Sequence, residues 1–484
     1  MARGLRCQLG RQRFGALKCP WSTFKSVHLL IIMREEAKMA IHPIDGRYGR
    51  REVKAIFDEE NKLQRLLDVE CALVQAHATV GDIPKSAAEE VKRKCSTKYV
   101  RVDRVKEIEA EINHDLMAMV KAYSEQCEGD AGKYIHLGAT SADITDTALA
   151  LQLKDFIKFL EQDLYDLRKT LVKLADRHKR TVCIGRTHAQ HAVPTTYGLK
   201  FAIWAEEVQR HIDRLKECKP RILVGQMTGA VGTQAALGPK AMKIQELVMK
   251  YLGLGSVNVS NQVIQRDRHA EFLLNLALIG ETLNKINTEI RNLQRTEIDE
   301  VAEGFRKGKQ VGSSTMPHKR NPILCERICG LSRIIRADAL AALDNITLWH
   351  ERDLTNSAPE RIIIPEACIL IDYMLIKSID VLKHLEFKPD NIKRNLGLTK
   401  GLIMAEKIMI ALVEKGMGRQ EAHELVRRNA MKVYESGRMF IQVLEEDPEV
   451  MKHLSQKELE EIMDPERYIG TAIEQVERVV KRLG

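Results

Sequence analysis

The chain of 484 residues is long enough for two to four domains, each with its own hydrophobic core. Aromatic residues make up only 5% of it, and Leu, Ala and long charged residues dominate, a composition that favours α-helices. The formal net charge is +9, but eight Lys or Arg and two Glu within residues 1–38 contribute +6 of it, so the basic balance does not support a nucleic-acid-binding protein.

Residues 1–38 form a leader that we exclude from the predicted fold. The segment is rich in Arg, and its first acidic residue is Glu35, as in an organelle transit peptide. The alternative, which we favour, is an over-extended start with true initiation at Met33 or Met39. We therefore expect residues 1–38 to be either a disordered leader or an over-extended start on a cytoplasmic protein, and organelle targeting is the other interpretation.

Residues 39–138 are predicted to form an N-terminal domain of shorter helices that break at Gly81 and Pro84. Within this domain, 104–122 is predicted as one helical stretch that contains His114. No run of about 18 apolar residues occurs here or elsewhere in the chain, so we expect no membrane span.

Residues 139–386 carry the clearest helical pattern. Between 151 and 178 apolar residues recur at steps of three or four, which predicts a long amphipathic helix with a bundle seam. Thr140, Ser141 and Asp143 are candidate N-caps, so this helix is predicted to begin near residue 142. Four more helices are predicted at 197–217, 267–296, 324–345 and 360–385.

After the sequence "FKPDN" the pattern restarts as shorter helices, and residues 387–484 are predicted to form a C-terminal domain. The predicted fold class is therefore all-α, with three helical domains and a central long-helix bundle.

Ten cysteines are scattered along the chain without CxxC pairs or histidine partners at zinc-finger spacing. Cys325 and Cys329 lie four residues apart, but two thiols without further ligands do not make a metal site, so we expect no bound metal. Cysteines in this arrangement fit a reducing cytosol.

Four polar segments concentrate His, Ser, Thr, Lys and Asn. They are "NHD" (113–115), "HLGATSAD" (136–143), "GRTHAQHAVPTT" (185–196) and "GSSTMPHKRNP" (312–322). Taken singly, each segment has an ordinary structural explanation. Thr140 and Ser141 can be helix caps alone, for example, and Lys319 can belong to a solvated basic turn. Together they suit removal of a proton next to a carboxylate with loss of a group from the adjacent carbon, which needs a base, an acid and fixed donors.

The predicted helix length restricts how these segments meet. A helix over 142–178 is roughly 55 Å long at about 1.5 Å per residue, with His136 and Ser141 at one end and His188 near the other. A site that contains all of them therefore requires several chains.

The segment 312–322 resembles the signature loop of the fumarase/aspartase superfamily. "GRY" (46–48), "HLGATSADITDTA" (136–148) and "GRTHAQHAVPTTYGLK" (185–200) resemble the adenylosuccinate lyase family within it, and the similarity extends from about residue 39 onward. The resemblance implies a homotetramer with a twenty-helix core and active sites shared between subunits, with no metal or organic cofactor and no nucleic-acid or membrane partner. It also implies cleavage of adenylosuccinate to AMP and fumarate, and of the purine precursor SAICAR to AICAR and fumarate.

The resemblance also implies roles for individual residues. Ser313 matches the proposed general base, with a histidine as the alternative, and His188 matches the general acid. Lys319 and Asn321 match residues that hold the charged carboxylate, and Glu326 matches a carboxylate near the site. His136 is placed with the catalytic residues, since it matches a histidine that orients substrate or the acid. Residues that match positions around substrate are His114, Thr140, Ser141, Thr187, Gln262, Arg47, Tyr48, Arg352, Ser357 and Arg361.

Two other interpretations remain at this point. One is a sister lyase that acts on argininosuccinate, aspartate or fumarate/malate with the same fold. The other is a helical scaffold without activity. Such a scaffold should have lost Ser313, Lys319 or His188, and the sequence keeps all three.

Overall fold

Helices dominate residues 42–304 and 315–484, the parts of the chain that the computed structural model describes. The predicted leader, 1–38, lies outside them. The chain divides into two units, and the described part of the first is His42–Tyr48, which contains the one-turn helix α1 (Pro43–Gly46). The second unit is Gly49–Gly484.

The second unit begins with helices that confirm the predicted breaks. They are α2 (Arg51–Phe57), α3 (Glu59–Val80), α4 (Lys85–Lys94), α5 (Val102–Ile112) and α6 (Asp115–Gln126). Helix α3 ends at Gly81, whose φ of 82° suits a residue without a Cβ, and Pro84 is the N-cap of α4.

The single helical stretch predicted over 104–122 is wrong. Helix α5 ends at Asn113, which has a φ of 53°, and His114 then caps α6 by accepting a hydrogen bond from the Met117 backbone N–H at 3.3 Å. Asn tolerates left-handed backbone better than most residues. His114 therefore lies at a helix start and not on a helix face.

Five long helices form the centre, within a few residues of the predicted bounds. They are α7 (Ser141–Arg177), α8 (Tyr197–Ile222), α10 (Asp267–Leu293), α11 (Ile323–Asp344) and α12 (Ser357–Lys383), and the shorter α9 (Ala241–Leu252) lies between α8 and α10 in the sequence. Thr140 is the N-cap of α7 in a capping box with Asp143, which confirms the predicted start.

Short strand pairs join the ends of these helices, and the helical pattern of the sequence does not predict them. Strands β1 (Val182–Thr187) and β2 (Gln190–Thr196) form an antiparallel hairpin between α7 and α8. The two-residue strands β3 (Val224–Gly225) and β4 (Gly255–Ser256) pair in parallel. Strands β5 (Val301–Ala302) and β6 (Glu386–Phe387) pair antiparallel.

The remaining helices are short, as predicted for 387–484. They are α13 (Pro389–Gly397), α14 (Ala405–Glu414), α15 (Arg419–Ser436), α16 (Phe440–Glu445), α17 (Pro448–His453), α18 (Gln456–Ile462) and α19 (Ala472–Leu483). Leu412, Leu425, Phe440 and Leu444 belong to a hydrophobic cluster within this segment. The all-α fold class is confirmed, and the boundaries 39–138, 139–386 and 387–484 stay predictions.

Each of the two ends of the bundle carries polar segments that the sequence analysis singled out. At the Thr140 end, where α7 begins, Arg266 just before α10 bonds both Asp146 of α7 and Glu360 of α12. At the His188 end, where α7 finishes, the base of the β1–β2 hairpin is fixed by the Gly198 N–H, which donates to the His178 carbonyl at 2.9 Å.

None of the helices in residues 42–304 and 315–484 combines the length and the apolar character that a bilayer crossing requires.

The core between the long helices gives a stability prediction. Phe272 of α10 is fully buried and meets Phe156 of α7 edge to face, with ring centroids 6.4 Å apart. Phe272→Ala should lower the free energy of unfolding by about 3–5 kcal/mol, because the buried ring is lost and a cavity is left in its place. Urea unfolding followed by circular dichroism measures this. Phe272→Leu keeps most of the side-chain volume and should lower the free energy of unfolding clearly less. Equal decreases in the two variants would contradict the cavity argument.

Candidate functional site

The structure divides the predicted site residues into two groups. The Thr140 end carries His114, His136, Thr140, Ser141, Gln262, Arg352, Ser357 and Arg361, and the His188 end carries Thr187, His188, Lys319, Asn321 and Glu326. Ser313 lies outside the described residues. Arg47 and Tyr48 directly follow α1 in the first unit, and both backbone N–H groups donate to the Pro43 carbonyl.

Asp143 organises the start of α7. Its fully buried carboxylate accepts hydrogen bonds from the backbone N–H groups of Thr140 at 2.9 Å, Thr228 at 2.8 Å and Gly229 at 3.0 Å. Burial raises the pKa of Asp143, although these N–H groups oppose the shift. The carboxylate thereby attaches the segment with Thr140 and Ser141 to the loop that follows β3.

Gln262 and Arg352 meet at the same end. The Gln262 side chain donates to the Ala230 carbonyl at 2.9 Å and accepts from Arg352 Nη1 at 3.0 Å. Arg352 Nε is buried and has no hydrogen-bond partner within the described part of the chain. An Arg with an unused N–H beside an amide is suited to bind an anionic oxygen.

The start of α12 brings His114 close to Arg361. Ser357 is the first residue of this 27-residue helix, whose N-terminus carries a partial positive charge. Arg361 donates to Asp115 at 2.8 Å, and Asp115 directly follows His114. Burial would raise the pKa of Asp115, but the Leu116 N–H and the Arg361 charge outweigh it and lower that pKa. Residues far apart in sequence thus form one polar surface.

A buried guanidinium holds the Thr140 end together. Arg266 has only 4% of its side chain exposed, and Nη1 and Nη2 donate to the two Asp146 oxygens at 2.6 and 2.9 Å. Nε and Nη2 donate to the Glu360 carboxylate at 2.8 and 3.0 Å, and Nη1 also donates to the Ile264 carbonyl at 2.7 Å. All five N–H groups of the guanidinium are therefore used.

The Arg266 charge lowers the pKa of two neighbouring groups, which keeps one of them charged and the other neutral. Burial disfavours the Asp146 carboxylate, but the charge and hydrogen bonds of Arg266 prevail and lower the pKa of Asp146. His269 is buried one turn further along, and its burial and the Arg266 charge lower its pKa to about 3. His269 is therefore neutral at physiological pH, while Asp146 and Arg266 are charged.

His188 occupies the tip of the β1–β2 hairpin. Thr187 pairs with Gln190, so His188 and Ala189 form a two-residue loop, and their φ angles are 53° and 60°. Two positive φ angles characterise a type I′ turn, which normally selects Asn and Gly. The turn thus places an exposed imidazole where the backbone would prefer other residues, and such local strain is common at functional sites.

Glu300 fastens the hairpin to the bundle. It is 1% exposed, and Arg186 of β1, the Tyr197 hydroxyl and the Asn395 amide all donate to its carboxylate. Arg186 is two residues before His188, so the position of the hairpin depends on this buried carboxylate.

Glu303 stabilises the start of α11 by accepting hydrogen bonds from its first backbone N–H groups. Its carboxylate accepts from the backbone N–H groups of Leu324 and Cys325, both at 3.1 Å. The Gln294 side chain accepts from the Glu303 N–H at 2.9 Å and donates to the Arg320 carbonyl at 2.9 Å. Lys319 and Asn321 therefore lie just before a helix start whose position is fixed. The side chains of Lys319 and of Glu326, in the first turn of α11, are exposed.

The two groups lie far apart within one chain. Helix α7 has 37 residues, which corresponds to roughly 55 Å. Residues 178–188, even if fully extended, could return at most roughly 36 Å at about 3.3 Å per residue. His188 is therefore separated from Thr140 and Ser141 of its own chain by more than a substrate-sized site.

Within residues 42–304 and 315–484, no cluster of three or more His, Cys, Asp or Glu side chains is arranged to hold a metal ion.

Comparisons with known proteins identify the family. A family model described as "Lyase" matches residues 46–336, and one described as "Adenylosuccinate lyase C-terminus" matches residues 401–479. The adenylosuccinate lyase of Methanocaldococcus jannaschii is 56% identical over 452 residues, 93% of this chain and 98% of that protein. The adenylosuccinate lyase of Pyrococcus abyssi is 59% identical over 442 residues, 91% of this chain and 98% of that one. The chain belongs to the adenylosuccinate lyase family.

Solved structures place this adenylosuccinate lyase family member in a wider group with the same fold. A fumarate lyase from Mesorhizobium sp. BNC1 matches with a TM-score of 0.83 and 33% identity, covering 90% of this chain and 99% of that one. A 3-carboxy-cis,cis-muconate lactonizing enzyme from Pseudomonas putida matches with a TM-score of 0.84 and 34% identity, covering 91% of this chain and 98% of that one. The fold is therefore shared by enzymes that act on different substrates.

Sequence reasoning missed several residues that position the site in this adenylosuccinate lyase family member. Each is a charged residue that is nine-tenths or more buried. They are Glu70, Arg266, Glu300 and Glu303. Glu70 offered one signal, because it interrupts an apolar run in "LLDVECALV". Its partner lies 66 residues away, at His136, and no local pattern indicates that distance.

The buried network predicts a large effect at one ion pair and a small one at another. Asp146→Asn leaves Arg266 with one carboxylate, so the free energy of unfolding should fall by about 3–5 kcal/mol. The matched control is Arg221→Gln, which removes a bidentate pair with Glu271 at the same end, where Arg221 is half exposed. Its denaturation midpoint should barely change. Equal shifts of the two urea midpoints would contradict the importance of burial.

Proposed function

We propose that this chain cleaves adenylosuccinate to AMP and fumarate, and SAICAR to AICAR and fumarate, in purine nucleotide synthesis in the cytoplasm. In this β-elimination a C–H bond next to a carboxylate and the C–N bond to the purine or carboxamide nitrogen break, and a carbon–carbon double bond forms. The nitrogen keeps the electron pair and takes up a proton. The proposal is carried by 56–59% identity to adenylosuccinate lyases over more than nine-tenths of each chain.

The Thr140 end is proposed to bind the substrate. Arg352 has a buried, unpartnered Nε beside Gln262, and Arg361 is exposed at the positive end of α12, so both suit the phosphate or a carboxylate of a succinyl nucleotide. Thr140 and Ser141 at the start of α7 supply donors to the fumarate half. His114, Gln262 and Ser357 are proposed to bind substrate at the same end, and His136 is a proposed catalytic residue there. Arg47 and Tyr48 are proposed to bind substrate on the sequence resemblance alone.

The His188 end is proposed to supply the chemistry. His188, exposed at a strained turn, protonates the leaving nitrogen, and Thr187 beside it contacts substrate. Ser313 is the proposed base, and Lys319 and Asn321 stabilise the carboxylate that takes up charge. Glu326 contributes a carboxylate at the positive start of α11.

Because the two ends of one chain are far apart, we propose that each active site combines the Thr140 end of one subunit with the His188 ends of others in a homotetramer. Exposed apolar side chains on the long helices support such an assembly. They include Ile203 of α8, Leu278 of α10 and Leu340 of α11, which are 53%, 48% and 60% exposed.

An absorbance assay tests the function. The purified protein is offered adenylosuccinate, argininosuccinate, aspartate and malate in parallel, and fumarate and AMP should form from adenylosuccinate alone. Ser313→Ala should abolish turnover without changing the circular dichroism spectrum, because the base is lost. Fumarate from another substrate would favour a sister lyase, and a folded protein silent on all four would favour a scaffold.

Mixing two inactive variants tests the shared sites. His188→Ala and Ser141→Ala lie at opposite ends, so subunits refolded together should regain part of the activity through sites whose contributing ends are all intact. His188→Ala and Thr187→Ala lie at the same end and serve as the matched control. Recovery should be greater in the first mixture, and no recovery in mixed oligomers verified by native mass spectrometry would argue for sites within one chain.

A further inference from the structure

His136 lies in a turn that its own backbone disfavours. Its φ is 66°, in the left-handed region, and Gly138 two residues later has a φ of 74°. A residue with a Cβ is strained in this conformation. The turn persists because the surrounding structure holds it.

Glu70 of α3 holds His136 at two points. The Glu70 side chain is fully buried, and its Oε2 accepts the His136 backbone N–H at 2.9 Å while its Oε1 lies 2.7 Å from His136 Nδ1. A carboxylate only accepts hydrogen bonds, so Nδ1 carries a proton. The ring therefore has a fixed orientation, and Nε2 is the nitrogen left to meet a ligand.

A second residue of α3 secures the same turn. His77 lies seven residues after Glu70, which is two helical turns and hence the same face of α3. Its Nε2 donates to the Leu137 carbonyl at 3.1 Å, and its Nδ1 lies 3.2 Å from Asp82. Two consecutive residues of the turn are thus attached to one rigid helix.

The charges around His136 favour its protonated form. Burial of the ring disfavours the imidazolium, but the hydrogen bond and the charge of Glu70 and the charge of Asp143 outweigh it and raise the pKa of His136. Among residues 42–304 and 315–484, Glu70 has hydrogen bonds to His136 alone. The buried carboxylate and the imidazolium therefore depend on each other for charge compensation.

We propose that Glu70 is a positioning residue that keeps His136 protonated on both ring nitrogens and presents its Nε2–H to an anionic group of the substrate. This inference rests on the proposed function for the identity of the substrate, a succinyl nucleotide with carboxylates and a phosphate. An imidazolium N–H is a charge-assisted donor suited to either group.

Glu70→Gln tests the proposal because it keeps the size and one acceptor oxygen and removes the charge. Diethyl pyrocarbonate acylates only neutral imidazole, so peptide-resolved mass spectrometry across a pH series reports the titration of His136 without reference to activity. The wild-type midpoint should lie above about 6.5, and the Glu70→Gln midpoint should lie lower. A shift of one pH unit makes His136 roughly tenfold more reactive where the imidazolium dominates.

The same variant should alter the pH profile in a defined direction. A raised pKa keeps the imidazolium until the pH passes that pKa, so His136 loses its proton on the alkaline side of the profile. In Glu70→Gln the alkaline limb of kcat/KM for adenylosuccinate should move to lower pH, with KM affected more than kcat. Glu70→Asp keeps the charge and should retain a midpoint near that of the wild type.

Glu90→Gln is the matched control. Glu90 is also buried, but it lies on α4 and its carboxylate accepts the Glu128 N–H at 3.0 Å. An unchanged His136 midpoint in folded Glu70→Gln, or an equal fall in Glu90→Gln or in Glu70→Asp, overturns the proposal. An inactive wild-type protein whose His136 midpoint still falls in Glu70→Gln overturns the proposed function and supports the control of His136 by Glu70.

Discussion

Helix α7 runs without a break from Ser141 to Arg177, and α3, α8 and α12 pack along it. Its length separates the polar segments at its two ends by roughly 55 Å. Both ends are nevertheless built with buried polar groups, Asp143 at one and Glu300 beyond the other. Such groups are costly to bury, and they are retained where a loop must keep one geometry.

The Arg266 network shows what these buried charges do. Every N–H of its guanidinium has an acceptor, from Asp146, Glu360 and the Ile264 carbonyl. Buried ion pairs contribute little net stability compared with apolar residues, but they are strongly destabilising when one partner is lost. The network therefore fixes the relative positions of α7, α10 and α12, and with them the loop that carries Gln262.

Backbone strain appears at two of the histidines that the sequence singled out. His136 and His188 both have left-handed backbone, and each is held through a buried glutamate, Glu70 by direct contact and Glu300 by way of Arg186. The imidazoles can meet a ligand because the supporting carboxylates, and not the turns themselves, determine where they lie. A rigid support beneath a strained turn keeps the side chain of that turn in one geometry.

The sequence by itself determined the long helices, the start of α7 at Thr140 and the family, because apolar steps of three or four and capping residues are local signals. It also indicated that Ser141 and His188 cannot meet within one chain, since helix length follows from residue number. Tertiary structure decided the rest. The break at Asn113 and the β1–β2 hairpin depend on backbone angles that no local pattern specifies. The pairings of Glu70 with His136 and of Arg266 with Asp146 and Glu360 depend on partners that are distant in the sequence. Burial and hydrogen bonding are settled only when such distant segments pack together.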